Sequence, residues 1–549
     1  MNFLESIFDA LHAAEGTTLL QEIYEGRVSA SFCGRDLLGY IGRARAFLRA
    51  QGLQKGDRVA LLANNGIRWA AMDLAIMAEG LIVVPLYARQ APAELVAMMK
   101  DCKPRLVCCG DPGLREGIAA AWREGPPHHL FDEIFSTQRG ADERPQLADR
   151  DVVSIIYTSG TSGEAKGVML TSGNLSHTLG CIMGRLDLLM GGRESQDRVF
   201  HYLPFVFAGS WMLLLTSLLR ASLLTLNTDL TKIAGDMRLA APDYILNVPA
   251  LLERMRRAVD EQLWQAGGFV QTIYANAKAA WARKNGGKGK IADRIWLSLA
   301  NSAIFPTIRK KMIGRNLRAL ICGSAPLSVE TQQFFQMLSI PVLQVYGLTE
   351  TTAICTMDDP RNVTIGLVGP AIEGVEMRLG ESDEIVARGP NVFAGYWNRP
   401  SETEKALRGG WFHTGDQGEV DANGNWKIVG RIKNLIILGS GHNIAPEPIE
   451  DRVLQLLPGA AQVVLVGNGK GYLAAIITGT VTAEEAQAAI DQVNATLPHY
   501  KQIRASYVRK EPFSIENGLL TANGKLKRDA IARALQGEIE DLYRVKVAV

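Results

Sequence analysis

Hydrophobic and polar positions change rhythm along this chain. Between residues 57 and 347, short apolar runs alternate with longer stretches of helical period. The runs predict strands over 58–62, 81–86, 105–109, 152–157, 198–203, 223–226, 244–246, 317–322 and 342–346. Helices are predicted between most of them, for example over 68–79, 91–100, 173–189 and 328–338. Strands alternating with helices imply layered α/β sheets, largely parallel. From about 360 to 430 the pattern shortens to brief alternating strands divided by Gly and Pro, which predicts a small antiparallel, barrel-like β unit. After Gly430 the mixture returns to α and β, with strands near 434–438, 461–466 and 472–477 and helices near 447–456, 483–495 and 526–536. The fold class expected is therefore α/β: a large N-terminal domain over 1–430 with a small β unit at its end, then a small α+β domain over 431–549.

Two local patterns stand apart. Residues 3–11 place Phe3, Leu4, Ile7, Phe8 and Leu11 on one helical face, read first as a helix docked on its own domain and second as one touching a membrane. The stretch 265–300, with Gly267-Gly268 and the basic run 284–290, reads as a polar, mostly helical insertion.

Composition narrows the class. Among 549 residues, 59 Lys and Arg against 57 Asp and Glu leave a net charge of +2, so the global balance gives no argument for a nucleic-acid partner. The hydrophobic share of 47% is that of a folded globular chain. Seven scattered cysteines without a CxxC signal neither a disulfide framework nor a zinc site, as expected in a reducing cytoplasm. Glu79 and Arg220 interrupt the longest apolar runs, and the acidic N-terminus with Glu5 and Asp9 is not that of a signal peptide. Glycine is concentrated in one place: residues 360–445 hold 14 of the 54. The chain's own rate would put about 8 there, so this stretch needs turns or close backbone approach.

The sharpest chemical signal is the loop that begins at Tyr157. Thr158, Ser159, Gly160, Thr161, Ser162 and Gly163 follow an apolar strand, Lys166 comes shortly after, and a helix is expected next. Gly lets several backbone N–H groups turn toward one point, Ser and Thr add hydroxyl donors, and Lys adds charge. This set suits a polyphosphate, although GxxxxGK[ST] is not matched.

Tyr157–Val168 resembles the phosphate loop of the adenylate-forming superfamily of acyl-CoA synthetases, adenylation domains and luciferases. Further motifs of that superfamily follow in order: Val345-Tyr346-Gly347-Leu348-Thr349-Glu350, Trp411-Phe412-His413-Thr414-Gly415-Asp416, Gly430-Arg431-Ile432-Lys433, Leu497-Pro498-His499-Tyr500 and Asn523-Gly524-Lys525-Leu526-Lys527-Arg528. The resemblance implies ATP, Mg²⁺ and coenzyme A as cofactor and co-substrates. It implies that residues 158–166 hold the β- and γ-phosphates, that Glu350 coordinates Mg²⁺ and that Thr349 bonds the α-phosphate. Tyr346 and Gly347, with Gly323, Ser324 and Ala325, would line adenine. Asp416 would accept the ribose hydroxyls, and Arg431 would touch phosphate or ribose. Lys525 would bridge the carboxylate and the α-phosphate at the transition state. Lys433 would sit at the hinge of a rotating C-terminal domain, and Gly439, Ser440, Gly441 and His442 would line the pantetheine tunnel after rotation.

The acid is less clearly written. Leu203–Trp211 contains no acidic residue to pair an amino acid's ammonium, which would be costly to leave unpaired in an apolar lining. Phe207 stands where many acyl-CoA synthetases have His. Trp211 aligns with an aromatic gate of long-chain enzymes, or is simply a core tryptophan. The insertion at 265–300, Ile321–Leu327 and Glu516–Thr521 resemble the long-chain fatty acid branch. The expectation is a cytoplasmic long-chain fatty acid–CoA ligase, with peripheral contact at the inner face of a membrane open and oligomeric state undetermined. Alternatives are a fatty-acyl-AMP ligase loading an acyl carrier protein, a ligase for aryl or other apolar carboxylates, and a non-catalytic nucleotide sensor, which the presence of Lys525 and Glu350 disfavours.

Overall fold

A computed structural model describes residues 2–140, 146–159, 165–192, 195–314, 316–521 and 524–544. Contacts divide the chain into one unit of Met1–Glu376, Ala387–Phe412 and Asp421–Trp426, and another of Met377–Val386, His413–Val420 and Lys427–Val549.

The apolar runs of the first unit become two sheets. In one, Val342–Tyr346, Ala319–Cys322, Tyr244–Asn247, Arg198–His201, Leu223–Asn227 and Thr18–Tyr24 lie in that order, all parallel. Thr356–Met357 and Arg27–Cys33 close its two edges antiparallel. In the other, His128–Leu130, Leu106–Cys109, Arg58–Leu62, Ile82–Leu86 and Val152–Ser159 are parallel, followed by antiparallel Ala165–Thr171 and Gly395–Tyr396. Parallel strands covered on both faces need unbroken apolar runs. Val59-Ala60-Leu61-Leu62 and Leu106–Cys109 are buried throughout.

Helices Ile67–Ala78 and Ala208–Leu219 are buried on almost every side. A helix is apolar all round only where it lies inside a core. Helix Phe3–Ala13 packs on both of them, with Phe3, Leu4, Ile7, Phe8 and Leu11 buried and Asn2 capping its first turn. Its apolar face is thus covered within the unit, as the docked reading has it.

One local expectation is corrected. The loop after Tyr157 does not open a helix. It joins Val152–Ser159 to a second strand, Ala165–Thr171, in a β-hairpin whose register pairs Thr158 with Lys166 and Tyr157 with Gly167. Along that strand the side chains of Val168 and Leu170 turn inward. The helix starts only at Ser172, where Thr171 and Asn174 form a reciprocal cap.

The second unit is built on three strands, Ala460–Val466, Leu473–Gly479 and Ile503–Arg509, paired antiparallel and then parallel. The two-residue side-chain period sorts its core. Val463, Leu465, Ala475 and Ile477 face Ile449, Val453, Ala486 and Ile490 of two helices. Val464 and Ile476 face Phe513, Leu519 and Ile531 on the other side.

Candidate active site

The first unit gathers several of the predicted residues at the C-terminal ends of parallel strands, where open α/β sheets form their binding crevices. Ala319–Cys322 and Val342–Tyr346 are neighbours, so Gly323-Ser324-Ala325 and Tyr346-Gly347 leave the sheet side by side. Both glycines are required by close approach. A Cβ at Gly323 would lie 2.6 Å from Val345 Cγ2, and one at Gly347 would lie 2.5 Å from Ile354 Cα. Tyr346 is buried, and Ser324 takes a positive φ of 73° that turns the strip out of the strand.

Thr349–Thr351 follows as a single 3₁₀ turn, closed by the Leu348 N–H donating to Thr351 Oγ1 at 2.9 Å. The Thr352 hydroxyl donates to the Asn391 carbonyl at 2.7 Å, and Asn391 Nδ2 donates back to the Ile354 carbonyl at 2.8 Å. These bonds lock the turn to the segment around residue 391. There the Phe393 N–H bonds the Glu350 carbonyl, and the Tyr396 hydroxyl donates to Glu350 Oε1 at 2.9 Å. Tyr396 in turn pairs with Val168 of the 152–171 hairpin. Lys166 forms an ion pair with Glu402, and its ammonium lies 5.3 Å from the centre of the Tyr396 ring. The structure thus connects Glu350, Tyr396, Lys166 and Glu402. Thr158 and Ser159 end the strand beside them; Gly160, Thr161, Ser162 and Gly163 lie outside the described residues.

Among the described residues, no group of three or more His, Cys, Asp or Glu is placed to hold a metal. Glu350 is a single carboxylate with one oxygen engaged by Tyr396. That fits Mg²⁺, which commonly takes one or two protein carboxylates and completes its shell with water and substrate phosphate. It would not fit an all-protein metal cage.

The second unit carries the other predicted residues. Asp416 is buried in the strand that ends at Val420, and Arg431 Nε meets its Oδ1 at 2.7 Å. Gly415 bends the chain just before it with a φ of 69°, its N–H held by Glu384 Oε1 at 2.9 Å. Thr414 is anchored by its hydroxyl to the Ile385 carbonyl at 2.7 Å. Lys433 lies in the 3₁₀ turn Ile432–Asn434. Burial pushes its pKa down to about 8, Arg431 and Lys525 add to the drop by repulsion, and Asp416 and Asp529 oppose it. Lys525 is exposed on a turn closed by Thr521, whose N–H donates to the Lys525 carbonyl at 2.8 Å. Three residues on, Arg528 makes a bidentate pair with Glu450 at 2.7 and 2.5 Å. This pair, with Glu450 buried and Arg528 partly so, anchors the turn that presents Lys525.

Gly439, Ser440, Gly441 and His442 form the tip between Ile436–Ile437 and Asn443–Ile444. The His442 ring stacks on Tyr500 at 4.3 Å, and its Nδ1 lies 2.9 Å from Ser440 Oγ. Two motifs separate in sequence, the Gly-Ser-Gly-His tip and Leu497–Tyr500, therefore meet.

In the segment read as the acyl pocket, Phe207 is half-buried beside the Tyr87 ring, while Trp211 is fully buried, its indole N–H donating to Asp73 Oδ2 at 2.8 Å. Complete burial raises the Asp73 carboxyl to about 7. Close by, His201 stacks on Phe205 and meets Ser210 Oγ at 2.5 Å; burial lowers its pKa to about 3, so it is neutral. An acid thus does stand against this segment, supplied by the helix Ile67–Ala78. It is fully buried, with Oδ2 on the indole and Oδ1 without a hydrogen-bond partner, and burial favours its neutral form.

Sequence reading missed Tyr396, Glu402 and Asp73. Only Gly395-Tyr396-Trp397, an aromatic pair after a glycine, carried a signal for the first. Asp73 looked like a polar position in an ordinary helix.

Known proteins resemble this chain over most of its length. A model described as AMP-binding enzyme matches residues 28–397, and one described as AMP-binding enzyme C-terminal domain matches residues 433–546. The long-chain-fatty-acid–CoA ligase FadD15 of Mycobacterium bovis is 27% identical over 577 residues, covering 96% of this chain and 94% of that protein. The fold is shared with two solved structures. ATP-bound MatB from Rhodopseudomonas palustris gives a TM-score of 0.74 at 23% identity, covering 97% of this chain and 99% of that one. The o-succinylbenzoate CoA synthetase of Bacillus subtilis, solved with its acyl-adenylate intermediate, gives 0.76 at 20% identity, covering 97% and 98%.

Proposed function

Because the chain belongs to the family of AMP-binding enzymes, we propose that it activates a fatty acid, long-chain in class, to acyl-AMP and then transfers the acyl group to coenzyme A. In the first half-reaction a carboxylate oxygen attacks the α-phosphorus of ATP and pyrophosphate leaves. In the second, the thiol sulfur of coenzyme A attacks the acyl carbonyl, its proton is lost to solvent, and AMP leaves.

The observation that carries this reading is the Tyr396 hydroxyl on Glu350. It ties the turn after strand Val342–Tyr346 to Gly395–Tyr396, which pairs with the hairpin strand Ala165–Thr171. Both reactants of the first step are anionic, so positioning and charge neutralisation are the needed devices. Lys166 and the hairpin would bind the β- and γ-phosphates, Thr349 the α-phosphate, and Tyr346 with Gly323, Ser324 and Ala325 the adenine. Glu350, with phosphate oxygens, would hold Mg²⁺, which supplies positive charge to the departing pyrophosphate. Asp416, oriented by Arg431, would accept the ribose hydroxyls. Lys525 would neutralise charge shared between the carboxylate and the α-phosphate.

The domains in this reading are 1–430 and 431–549, with Lys433 at the joint. Rotation there would withdraw Lys525 and bring the Gly439–His442 tip to coenzyme A. An apolar substrate is supported by the lack of an acid within 203–211, by the sequestration of Asp73, and by the long-chain name of a relative aligned over nearly its whole length. Each methylene buried in an apolar tunnel would contribute about 0.8 kcal/mol.

Pyrophosphate release measured over fatty acids of graded length, with coenzyme A, free pantetheine or acyl carrier protein as acceptor, tests the proposal. It stands if long-chain acids turn over best and coenzyme A is consumed. A preference for aryl acids, or acylation of the carrier protein alone, would replace it with the corresponding ligase.

A further inference from the structure

Helix Ile291–Leu299 is apolar on two opposite faces. Trp296 and Leu297 turn inward against a core that includes Phe200, Phe305 and Phe335. On the outer face Ile291, Ile295 and Leu299, spaced four residues apart, are 88%, 62% and 41% exposed. Side chains at that spacing share one stripe of a helix. A second unpartnered pair, Trp264 and Phe269, each 74% exposed, flanks the joint between helices Pro249–Ala266 and Gly268–Asn285. The insertion expected to be polar thus displays large apolar side chains to solvent.

Charge says what covers them. Residues 264–312 contain nine Lys and Arg and one acid, Asp293, which is buried and paired to Arg283 at 2.5 Å. The segment contributes +8 to a chain whose net charge is +2, so the remainder sums to −6. Lys284, Lys288, Lys290 and Arg294 are exposed immediately before and within the apolar stripe. Among the described residues, no helix is long and apolar enough to cross a membrane.

We propose that this insertion docks on an anionic lipid bilayer. Anionic headgroups lying over hydrocarbon satisfy lysines and an adjacent apolar stripe at once. A second copy of the chain would bring two strongly positive segments together, and a polyanion would leave the isoleucines in water. The inference does not depend on which carboxylate the enzyme activates.

The test is co-sedimentation of the full chain with phosphatidylcholine vesicles, neutral or containing about 30% phosphatidylglycerol, in low and high salt. The expected result is binding to anionic vesicles at least about tenfold above neutral ones, weakened by salt. Ile291→Ser with Ile295→Ser, and separately Lys284→Glu with Lys288→Glu, should each reduce binding roughly tenfold. Pyrophosphate release with a soluble short-chain acid should be unchanged. If the paired Ser variant melts early, Ile291→Ser alone carries the apolar arm. Three results would overturn the proposal: equal binding to both vesicles, loss through the Lys variants alone (a polyanion site), or a dimer in solution abolished by the Ser variants (a subunit interface).

Discussion

At Glu350 a carboxylate faces a phenol that does no chemistry of its own. The Tyr396 hydroxyl donates 2.9 Å to Oε1, so under the proposed function Oε2 would be the oxygen left for Mg²⁺. Tyr396→Phe should therefore slow adenylation about tenfold and raise the Mg²⁺ concentration for half-maximal rate, while costing about 1 kcal/mol or less of stability. Steady-state pyrophosphate release against Mg²⁺ checks this; an unchanged Mg²⁺ response would remove the positioning role. Asp73 is a second residue with a measurable signature. Its folded pKa of about 7 lies above the ordinary value of 3.8 because burial disfavours the charged form. Native protein then holds a proton that the unfolded chain releases, so this group's stabilisation is full below pH 4 and is lost as pH rises through 7. Asp73→Asn keeps an oxygen for the Trp211 indole and removes the titration. Its melting temperature should exceed the parent's at pH 8, by an amount worth on the order of 4 kcal/mol, and equal it near pH 4. A difference independent of pH would contradict this. Neither residue was legible beforehand. Tyr396 acts through a partner 46 positions away, and the glycine and tryptophan beside it flag the position without pointing to that partner. Asp73 differs from a surface aspartate only by what surrounds it in three dimensions. Thr349, Glu350, Asp416 and Lys525, by contrast, sit in motifs whose order along the chain could be read directly.

Elements follow the same division. Parallel core strands such as Arg58–Leu62 and Val342–Tyr346 were legible to the residue, because burial on both faces demands continuous apolar runs. Strands Thr18–Tyr24, Arg27–Cys33 and Ile503–Arg509 were not. Arg27–Cys33 closes a sheet edge and Ile503–Arg509 ends a three-stranded sheet, so their outer sides stay polar. Strand Ala165–Thr171 hid behind its loop: the Gly- and Ser-rich run suggested a helix start, whereas pairing with Val152–Ser159 makes it a hairpin. The consequence is chemical, since the loop would bind phosphate through hairpin N–H groups and Lys166 and not through a helix dipole. The 3₁₀ turn Ile432–Asn434, proposed above as the joint, is tested at the element scale as well. Lys433→Pro restricts Ile432 before it and fixes φ at its own position. It should slow thioester formation at least about tenfold and leave adenylation within about threefold. Rapid-quench measurement of the two half-reactions checks this, with Lys433→Ala separating backbone from charge. Equal loss in both half-reactions would argue against a hinge there.

On the scale of the whole molecule, the predicted residues fall on two compact units. Glu350, Tyr396, Lys166 and the Gly323 and Tyr346 strips belong to one, and Asp416, Arg431, Lys433 and Lys525 to the other. Each cluster is internally braced, the first by Asn391 and Tyr396, the second by the Arg528–Glu450 pair and by Thr414. The glycine-rich stretch 360–445 contains the segments in which the chain passes between the units, at 376/377, 386/387, 412/413, 420/421 and 426/427. Its excess thus marks where the backbone must turn repeatedly, which composition could locate but not explain. Acyl length was not legible, because an apolar tunnel can be built from many side chains.

The central claim is that Lys525 and the Glu350 cluster together make an acyl-adenylate that coenzyme A then consumes. A single-turnover experiment reads this directly: enzyme, ATP, Mg²⁺ and a long-chain fatty acid are mixed without coenzyme A, and acyl-AMP is quantified by mass spectrometry before and after coenzyme A is added. The account requires near-stoichiometric acyl-AMP that converts to acyl-CoA, and a drop of at least about a hundredfold in acyl-AMP formation in Lys525→Ala with ATP still bound. Absence of acyl-AMP in the parent enzyme, or its undiminished formation in Lys525→Ala, would contradict it.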